Sequence, residues 1–599
     1  MCGITGYIGN DRLAKQLILE GLRRLEYRGY DSAGIALGGE MFEVVKRVGR
    51  VERLAEALEQ VEESNIGVGH TRWATHGKPT EQNAHPHVSA DGRFALVHNG
   101  VIENAEALKQ QYVADVEFTS TTDTEVIVQL LGKFVADGLD VSDAFQKTIQ
   151  LLKGSYAVVC LDRQNQQTLY VAKNKSPLVI AFAENSTMVA SDEMAVSDRC
   201  HSALQLEDGE LAIIQPTCHM LRTLQGERID REPYELQVES MTFDQGSYAH
   251  YMLKEIEEQP NVVCGLAREY MNMHGQIELP LHLSEQLANA SRIAIVACGT
   301  SYHAGLVGKE LFERLARIPV TVHYASEFNY YTPLIEDGTL FIFISQSGET
   351  ADSIAALKKC RANDWPTLAL VNVKHSTMAK LADDVLLLHA GTEVAVASTK
   401  AYVAQVTLLS LIAGSLGRLS GMYETFDMTK QLAIVQYVMY EAFQMQSLIR
   451  QTANQFVDAK NVFILGRGLD YAIAQEAALK IKEVTYIQAE AYPSGELKHG
   501  PIALIEDETP VIAIISNKRT ADQVRSNIAE VEARGARVYV LASEGLEQPT
   551  DWLTLPATHP LFAPLAMIVP LQLLSYEIAQ AKGLDVDKPR NLAKSVTVE

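Results

Sequence analysis

The chain has 599 residues, with 52 Lys and Arg against 75 Asp and Glu and a formal net charge of −23. That length exceeds a single hydrophobic core and implies about two to four domains. Hydrophobic residues at 47% and charged residues at 21% exclude global disorder, and the acidic balance argues against nucleic-acid or anionic-membrane binding, which need basic surface. Seven cysteines, at 2, 160, 200, 218, 264, 298 and 360, are odd in number and contain no C-x-x-C. Neither a disulfide framework nor a zinc ribbon is expected, and a reducing cytoplasm fits. Met1 to Asn10 lacks the basic and apolar regions of a signal peptide.

Residues 1–238 read as short strands with a few helices between glycine-rich turns. Gly67 to His70, Phe94 to His98, Tyr156 to Leu161, Thr168 to Ala172 and Leu211 to Ile214 are the clearest strands. This is an α+β pattern with substantial antiparallel sheet. A polar stretch, 239–247, reads as a linker, and Tyr248 to Glu258 opens a helical region. From there apolar strands alternate with helices, as at Arg292 to Ala297, Thr339 to Ile344 and Thr367 to Asn372. That is the parallel α/β pattern. It repeats: the strand and glycine turn at Ile293 to Gly299 recur at Val462 to Gly466, and the strand ending at Ser345 recurs before Ser516, at offsets of 167 and 171 residues. A period this long means a duplicated domain, expected at 248–425 and 426–588, with a polar tail at 589–599. Ala401 to Gly417 and Leu561 to Ala581 are apolar but interrupted by Gln405, Ser410, Pro570 and Glu577. Neither is an unbroken run of about 20 apolar residues, so both are expected to be core helices and no membrane is implied.

Cys2 is the first chemical signal. Removal of Met1 would give one residue both a thiol and an α-amine, the latter with a reference pKa of about 7.7–8.0, suited to a general base near neutrality. Thr71 to Gly77 (Thr-Arg-Trp-Ala-Thr-His-Gly) follows one strand, His98-Asn99-Gly100 follows another, and Asp123 precedes a helix beginning near Glu125. Singly, a surface ion pair for Arg72, a turn at Asn99-Gly100 and a helix cap at Asp123 explain them. Together, Cys2, Arg72, Trp73, Asn99, Gly100 and Asp123 resemble the class II glutamine amidotransferases, whose N-terminal nucleophile fold is αββα. The resemblance implies that Cys2 attacks the glutamine carboxamide and that Asn99 and Gly100 form an oxyanion hole. It further implies that Arg72, Trp73, Thr75, His76 and Asp123 bind glutamine. Histidines at 70, 76, 85, 87 and 98 fall in the same region, but no H-E-x-x-H and no helical i, i+4 pair occurs. Packing is expected of them, with no metal site.

In the second half, Cys298 to Ser301 and Ser345 to Thr350 (Ser-Gln-Ser-Gly-Glu-Thr) each follow an apolar strand and precede a helix. Hydroxyls and backbone N–H groups at a helix start suit a phosphate. The absence of G-x-x-x-x-G-K-[ST] and G-x-G-x-x-G disfavours nucleotides. These loops resemble the sugar isomerase family, which binds phosphosugars on a five-stranded parallel sheet. The second copy has Asn-Lys-Arg after Ser516 and is not expected to bind phosphate in that way. It carries instead a helix from about Tyr471 to Tyr486 with Glu476, Lys480 and Glu483 at i, i+4 and i+7, one face of an otherwise apolar helix. Buried charges of this kind are costly unless paired or used. Downstream, His499 lies in a glycine-rich loop.

End to end, the chain resembles a family of glutamine-dependent, isomerising aminotransferases of fructose 6-phosphate. The fold then expected is an α+β N-terminal nucleophile (αββα) glutaminase domain followed by two α/β sugar isomerase domains with parallel five-stranded sheets. The resemblance implies catalytic roles for Lys480, Glu483, His499 and Lys594. His499 would open the sugar ring, supplied by a neighbouring subunit of a homodimer, and Lys594 would form a Schiff base. Glu483 would move the proton between C1 and C2 with help from Lys480. Thr300, Ser301, Ser345, Gln346, Ser347 and Thr350 would hold the phosphate, and Val396, Ala397 and Ser398 would line the sugar. Trp73 and the C-terminal tail would gate an ammonia channel. No cofactor is implied, and departures at His303 and Leu469 touch no named role. A deaminase acting on a related amino sugar and a non-catalytic sugar-phosphate sensor remain as alternatives.

Overall fold

The computed structural model describes residues 2–74, 76–236, 245–419 and 427–597, without the side chains of 418–419. Thr75, most of the expected linker and the boundary expected at 425–426 lie outside the described residues. The chain forms two compact units, Met1–Thr242 with Ala593–Glu599, and Phe243–Leu592.

The first unit is built on two mainly antiparallel sheets, of eight and seven strands. In one, strand Gly3–Gly9 lies between Ile66–Arg72 and Ser186–Ala190. In the other, Phe94–Ile102 pairs along its length with Gly154–Asp162. The facing surfaces bury Ile4, Val68, Val97 and Val159 between the sheets. Helix Ala14–Leu25 puts Ala14, Ile18, Leu22 and Leu25 on one face, the spacing of a single helical stripe, and packs on the outer side of the first sheet. Helices Glu125–Ala136 and Val141–Leu151 cover the second sheet in the same way. The order is helix, sheet, sheet, helix, as expected.

The second unit holds two five-stranded sheets, parallel throughout. In the first, the order is Val320–Tyr324, Arg292–Ala297, Thr339–Ser345, Thr367–Val371, Asp384–Leu387; in the second, Gln488–Pro493, Asn461–Gly466, Pro510–Ile515, Arg537–Ser543, Leu553–Leu555. Each sheet reads second, first, third, fourth, fifth along the chain. The order reverses between the first and third strands, the place in such sheets where ligand crevices form at the strand C-termini. One continuous core joins both copies, with helices Lys400–Leu419 and Ala563–Ala581 running through it. Lys400–Gly417 is long and apolar enough to cross a membrane by composition, but 89% of it is buried inside the protein. Every residue from Ala563 to Ala579 is buried.

Candidate active sites

The antiparallel register pairs Gly3 with Thr71, so Cys2 falls beside Arg72 and Trp73. The Trp73 N–H donates to Cys2 Sγ at 3.4 Å, and Sγ reaches Trp73 O at 3.5 Å. Burial pushes the thiol pKa up, against the Trp73 hydrogen bond and the Arg72 charge. Among the described residues no side-chain base touches Sγ, so the fold supplies a site but no proton acceptor from another side chain.

Asn99 and Gly100 lie within strand Phe94–Ile102, paired with Ala157 and Tyr156, and not in a turn after it. Asn-Gly is a strong hairpin signal, but here the strand runs on through a distorted residue. Gly100 has φ +133°, and a Cβ there would meet Ser155 O at 2.0 Å, so only glycine fits. Asn99 Nδ2 donates to Cys2 O at 2.9 Å. Its Oδ1 lies 3.0 Å from His70 Nε2, which is also 3.0 Å from His98 O. Two acceptors on one ring nitrogen require Nε2 to carry the proton, and that fixes the Asn99 amide with its NH2 toward Cys2.

His70 was not singled out in the sequence. It precedes Arg72 by two residues in one strand, so the period of two puts both on the same face. Burial lowers its pKa to about 3, keeping it neutral. His85 stacks on it with ring centroids 4.0 Å apart, and burial holds His85, His87 and His98 neutral as well. His76 is exposed.

Arg72 is buried, not in a surface ion pair, and donates to the carbonyls of His76, Gly77 (3.0 Å) and Lys78 (3.2 Å). Burial lowers its pKa, opposed by Cys2, Asp31 and Asp123, which places these groups in one field. Asp123 Oδ2 accepts the Ile102 N–H at 2.7 Å and does not cap the following helix. Asp31 Oδ2, also missed in the sequence, accepts the Ala74 N–H at 2.8 Å and fixes the loop after Arg72.

In the second unit, Thr300 and Ser301 lie in the first turn of helix Gly299–Leu311, and the Ser345–Thr350 turn joins strand Thr339–Ser345 to helix Ala351–Ala362. Ser345 Oγ lies 3.0 Å from Thr350 Oγ1 and accepts the Gly348 N–H at 3.0 Å. Gly348 has φ +66°, and a Cβ would meet Ser376 Oγ at 2.1 Å. The result is a tight turn with converging hydroxyls at a helix N-terminus, between the first and third strands of the sheet. Gln405 Nε2 donates to Ser301 Oγ at 3.0 Å. Val396, Ala397 and Ser398 form a loop held by Glu393, which accepts from Ser398 Oγ and Thr399 N, each at 2.9 Å.

The charged helix is Leu469–Thr485. Glu476 and Lys480 are fully buried, and Glu483 is 20% exposed. Lys480 Nζ stands 2.6 Å from Glu483, 3.4 Å from Glu476, and donates to Thr300 Oγ1 at 3.0 Å. Burial acts to lower the Lys480 pKa, but Glu483 and Glu476 outweigh it, so the net shift is upward and the ammonium is kept. The structure therefore brings the hydroxyl side of the first copy and the charged helix of the second together. It does not join His499 to them within one chain: that residue is exposed at the end of the 3₁₀ turn Glu496–His499. Lys594 is half-buried and belongs to the first unit, with Ser595 next to it buried.

Family models agree with this division. A glutamine amidotransferase domain matches residues 70–198, and SIS domains match 286–414 and 455–579. A relative from Geobacillus kaustophilus, named glutamine–fructose-6-phosphate aminotransferase (isomerizing), is 50% identical over 601 residues, 100% of both chains. Relatives of the same name from Listeria monocytogenes and Bacillus subtilis are 50% and 48% identical, again over 100% of both chains. The chain belongs to this family. Within the family, a solved C-terminal domain from Francisella tularensis is 38% identical, with TM-score 0.55, covering 57% of this chain and 99% of that one.

Proposed function

We propose that the chain transfers the amide nitrogen of glutamine to fructose 6-phosphate and isomerises the product, giving glucosamine 6-phosphate and glutamate. The observation that carries this is that one chain, similar along its length to relatives of that name, holds Cys2 beside an oriented Asn99 amide and a buried Lys480 paired with Glu483 beside a hydroxyl turn. Residues 1–238 would serve as the glutaminase, 248–425 and 426–588 as the isomerase halves, and 589–599 as the catalytic tail.

In the first centre, burial raises the thiol pKa, and among the described residues no other side chain is placed to take its proton. The α-amine freed by loss of Met1 supplies the base. Cys2 then attacks the carboxamide, the Asn99 amide and Gly100 N–H take the developing oxyanion, the C–N bond breaks to release ammonia with the proton from the Cys2 α-ammonium, and water hydrolyses the thioester to glutamate. Arg72 holds the α-carboxylate with its planar fork, Asp123 the α-ammonium, and Trp73, Thr75 and His76 close around the side chain.

In the second centre, Ser301, Ser345, Gln346, Ser347 and Thr350 hold the phosphate with their side chains and helix N-termini, and Thr300 through its N–H in the first turn of its helix, so an acidic protein binds an anion without bulk positive charge. Val396, Ala397 and Ser398 line the sugar. His499 of a partner subunit in a homodimer opens the ring, Lys594 forms the Schiff base at C2, and Glu483 moves the proton between C1 and C2 with Lys480 assisting. Ammonia is mostly ammonium in neutral water and then not nucleophilic; a path gated by Trp73 and the tail delivers it neutral and at high effective concentration. The reaction is placed in the cytoplasm.

The alternatives of a deaminase or a sensor gain no support from relatives that share the whole chain and carry the name of the synthetic reaction. The test is a product assay with glutamine and fructose 6-phosphate. Cys2→Ala should lose glutamine-dependent synthesis by more than about 10³-fold while keeping synthesis from added ammonia. Full glutamine use by Cys2→Ala would sink the proposal.

A further inference from the structure

Helices Gly299–Leu311 and Leu469–Thr485 meet through a buried polar chain that the roles above leave half unused. His303 Nδ1 lies 2.7 Å from Glu476 Oε2. Thr300 Oγ1 donates to Glu476 Oε1 at 3.1 Å and accepts from Lys480 Nζ at 3.0 Å. Lys480 Nζ then stands 3.4 Å from Glu476 and 2.6 Å from Glu483. The Glu476 and Lys480 side chains are fully buried, and that of His303 is 12% exposed. Thr300 and His303 come from one repeat and the three charges from the other, so neither copy alone can make the chain.

Two carboxylates share one ammonium here. A buried carboxylate must fill its lone pairs with donors or become very costly. Glu476 fills Oε2 with His303 and Oε1 with Thr300 and Lys480. Without the His303 donor, the unmet charge on Glu476 would draw Lys480 away from Glu483. Without Glu476, Lys480 would lose the acceptor that fixes it on the far side. Among the described residues, Glu393, from the loop before helix Lys400–Leu419, and Tyr402 on that helix also face this cluster.

We propose that His303 and Glu476 are positioning residues for the sugar half-reaction: they hold the Lys480 ammonium against Glu483, so that this carboxylate is charged and aimed when it moves the C1–C2 proton. The inference rests on the activity proposed above and deepens it.

The test is steady-state synthesis from fructose 6-phosphate with glutamine, and with ammonia, in the full chain. Glu476→Gln and His303→Leu should each lower kcat for sugar conversion roughly 10-fold or more, the scale of a misplaced acid–base group. KM for fructose 6-phosphate and the rate of glutamine hydrolysis should stay near wild type, which also shows that the variants fold. Glu476→Gln removes one of the carboxylates favouring the Lys480 ammonium, so the alkaline limb of the kcat–pH profile should move to lower pH. His303→Asn, whose amide N–H can replace the Nδ1 donor, should restore kcat. An unmoved alkaline limb, or His303→Asn no better than His303→Leu, overturns the positioning role while leaving the activity standing. A wild-type chain that makes no product overturns the activity reading and this inference with it.

Discussion

The two isomerase copies share a sheet order and part at the switch point. In the first, the second residue of the helix there is Thr300, a hydroxyl, and the third strand ends on Ser345 and its turn of hydroxyls. In the second, the corresponding helix has Asp470 as its second residue, and that carboxylate accepts both the N–H (3.0 Å) and the Oγ–H of Ser516. A helix N-terminus favours one anion. The first copy has no carboxylate at that position, whereas the second fills it with its own side chain. The same second helix carries Glu476, Lys480 and Glu483 against the first copy. On the proposed reading, duplication divides labour: the first copy's turn holds phosphate, and the second copy's helix does acid–base work.

That division can be broken from either side. The largest effect is expected at Glu483. Glu483→Gln should lower kcat for sugar conversion about 10²–10⁴-fold, the range for a lost acid–base group, with glutamine hydrolysis untouched. Normal turnover in that variant would put the proton transfer elsewhere and undo the assignment of chemistry to the second helix. A smaller effect is expected at the turn. Ser347→Ala should raise KM for fructose 6-phosphate roughly 10-fold, since a hydrogen bond to a charged group is worth about 1.5–3 kcal/mol. Ser516→Ala, at the position of the second copy that corresponds to Ser345, should leave that KM where it is. If Ser516→Ala also raises KM, both crevices bind substrate and the contrast between them is wrong.

How far the sequence displays this contrast depends on the separation of the partners. The parallel sheets are legible because runs such as Arg292–Ala297 and Thr339–Ser345 are apolar on both faces, as strands covered by helices must be. The absence of Ser-x-Ser-Gly after Ser516 is legible too, but not the bond of Ser516 to Asp470, which lies 46 residues earlier. Likewise the Glu476–Lys480–Glu483 face follows from helical spacing, whereas His303, 173 residues from Glu476, offers no signal until the two helices pack. In the glutaminase, Asn99-Gly100 misleads because Asn-Gly favours turns, and only the Ser155 carbonyl against Gly100 explains a glycine inside a strand. His70 was within reach of period-two reasoning from Arg72. The grouping of Ala593–Glu599 with the N-terminal unit leaves no local pattern at all.

The smallest expected effect tests the closed crevice itself. Asp470 is buried, and burial raises its pKa from 3.8 to about 6 despite the two bonds from Ser516. A carboxyl whose folded pKa exceeds its unfolded one stabilises the fold in its neutral form. That contribution is whole below pH 4 and lost as pH rises through about 6. Asp470→Asn cannot ionise and keeps what the wild type loses. The variant should therefore gain on the wild type between pH 4 and 7, by up to about 3 kcal/mol at 1.36 kcal/mol per pKa unit, read as a widening difference in unfolding temperature. A difference that stays flat would mean that Asp470 ionises at its ordinary pKa, with the Ser516 bonds and the helix N-terminus offsetting its burial.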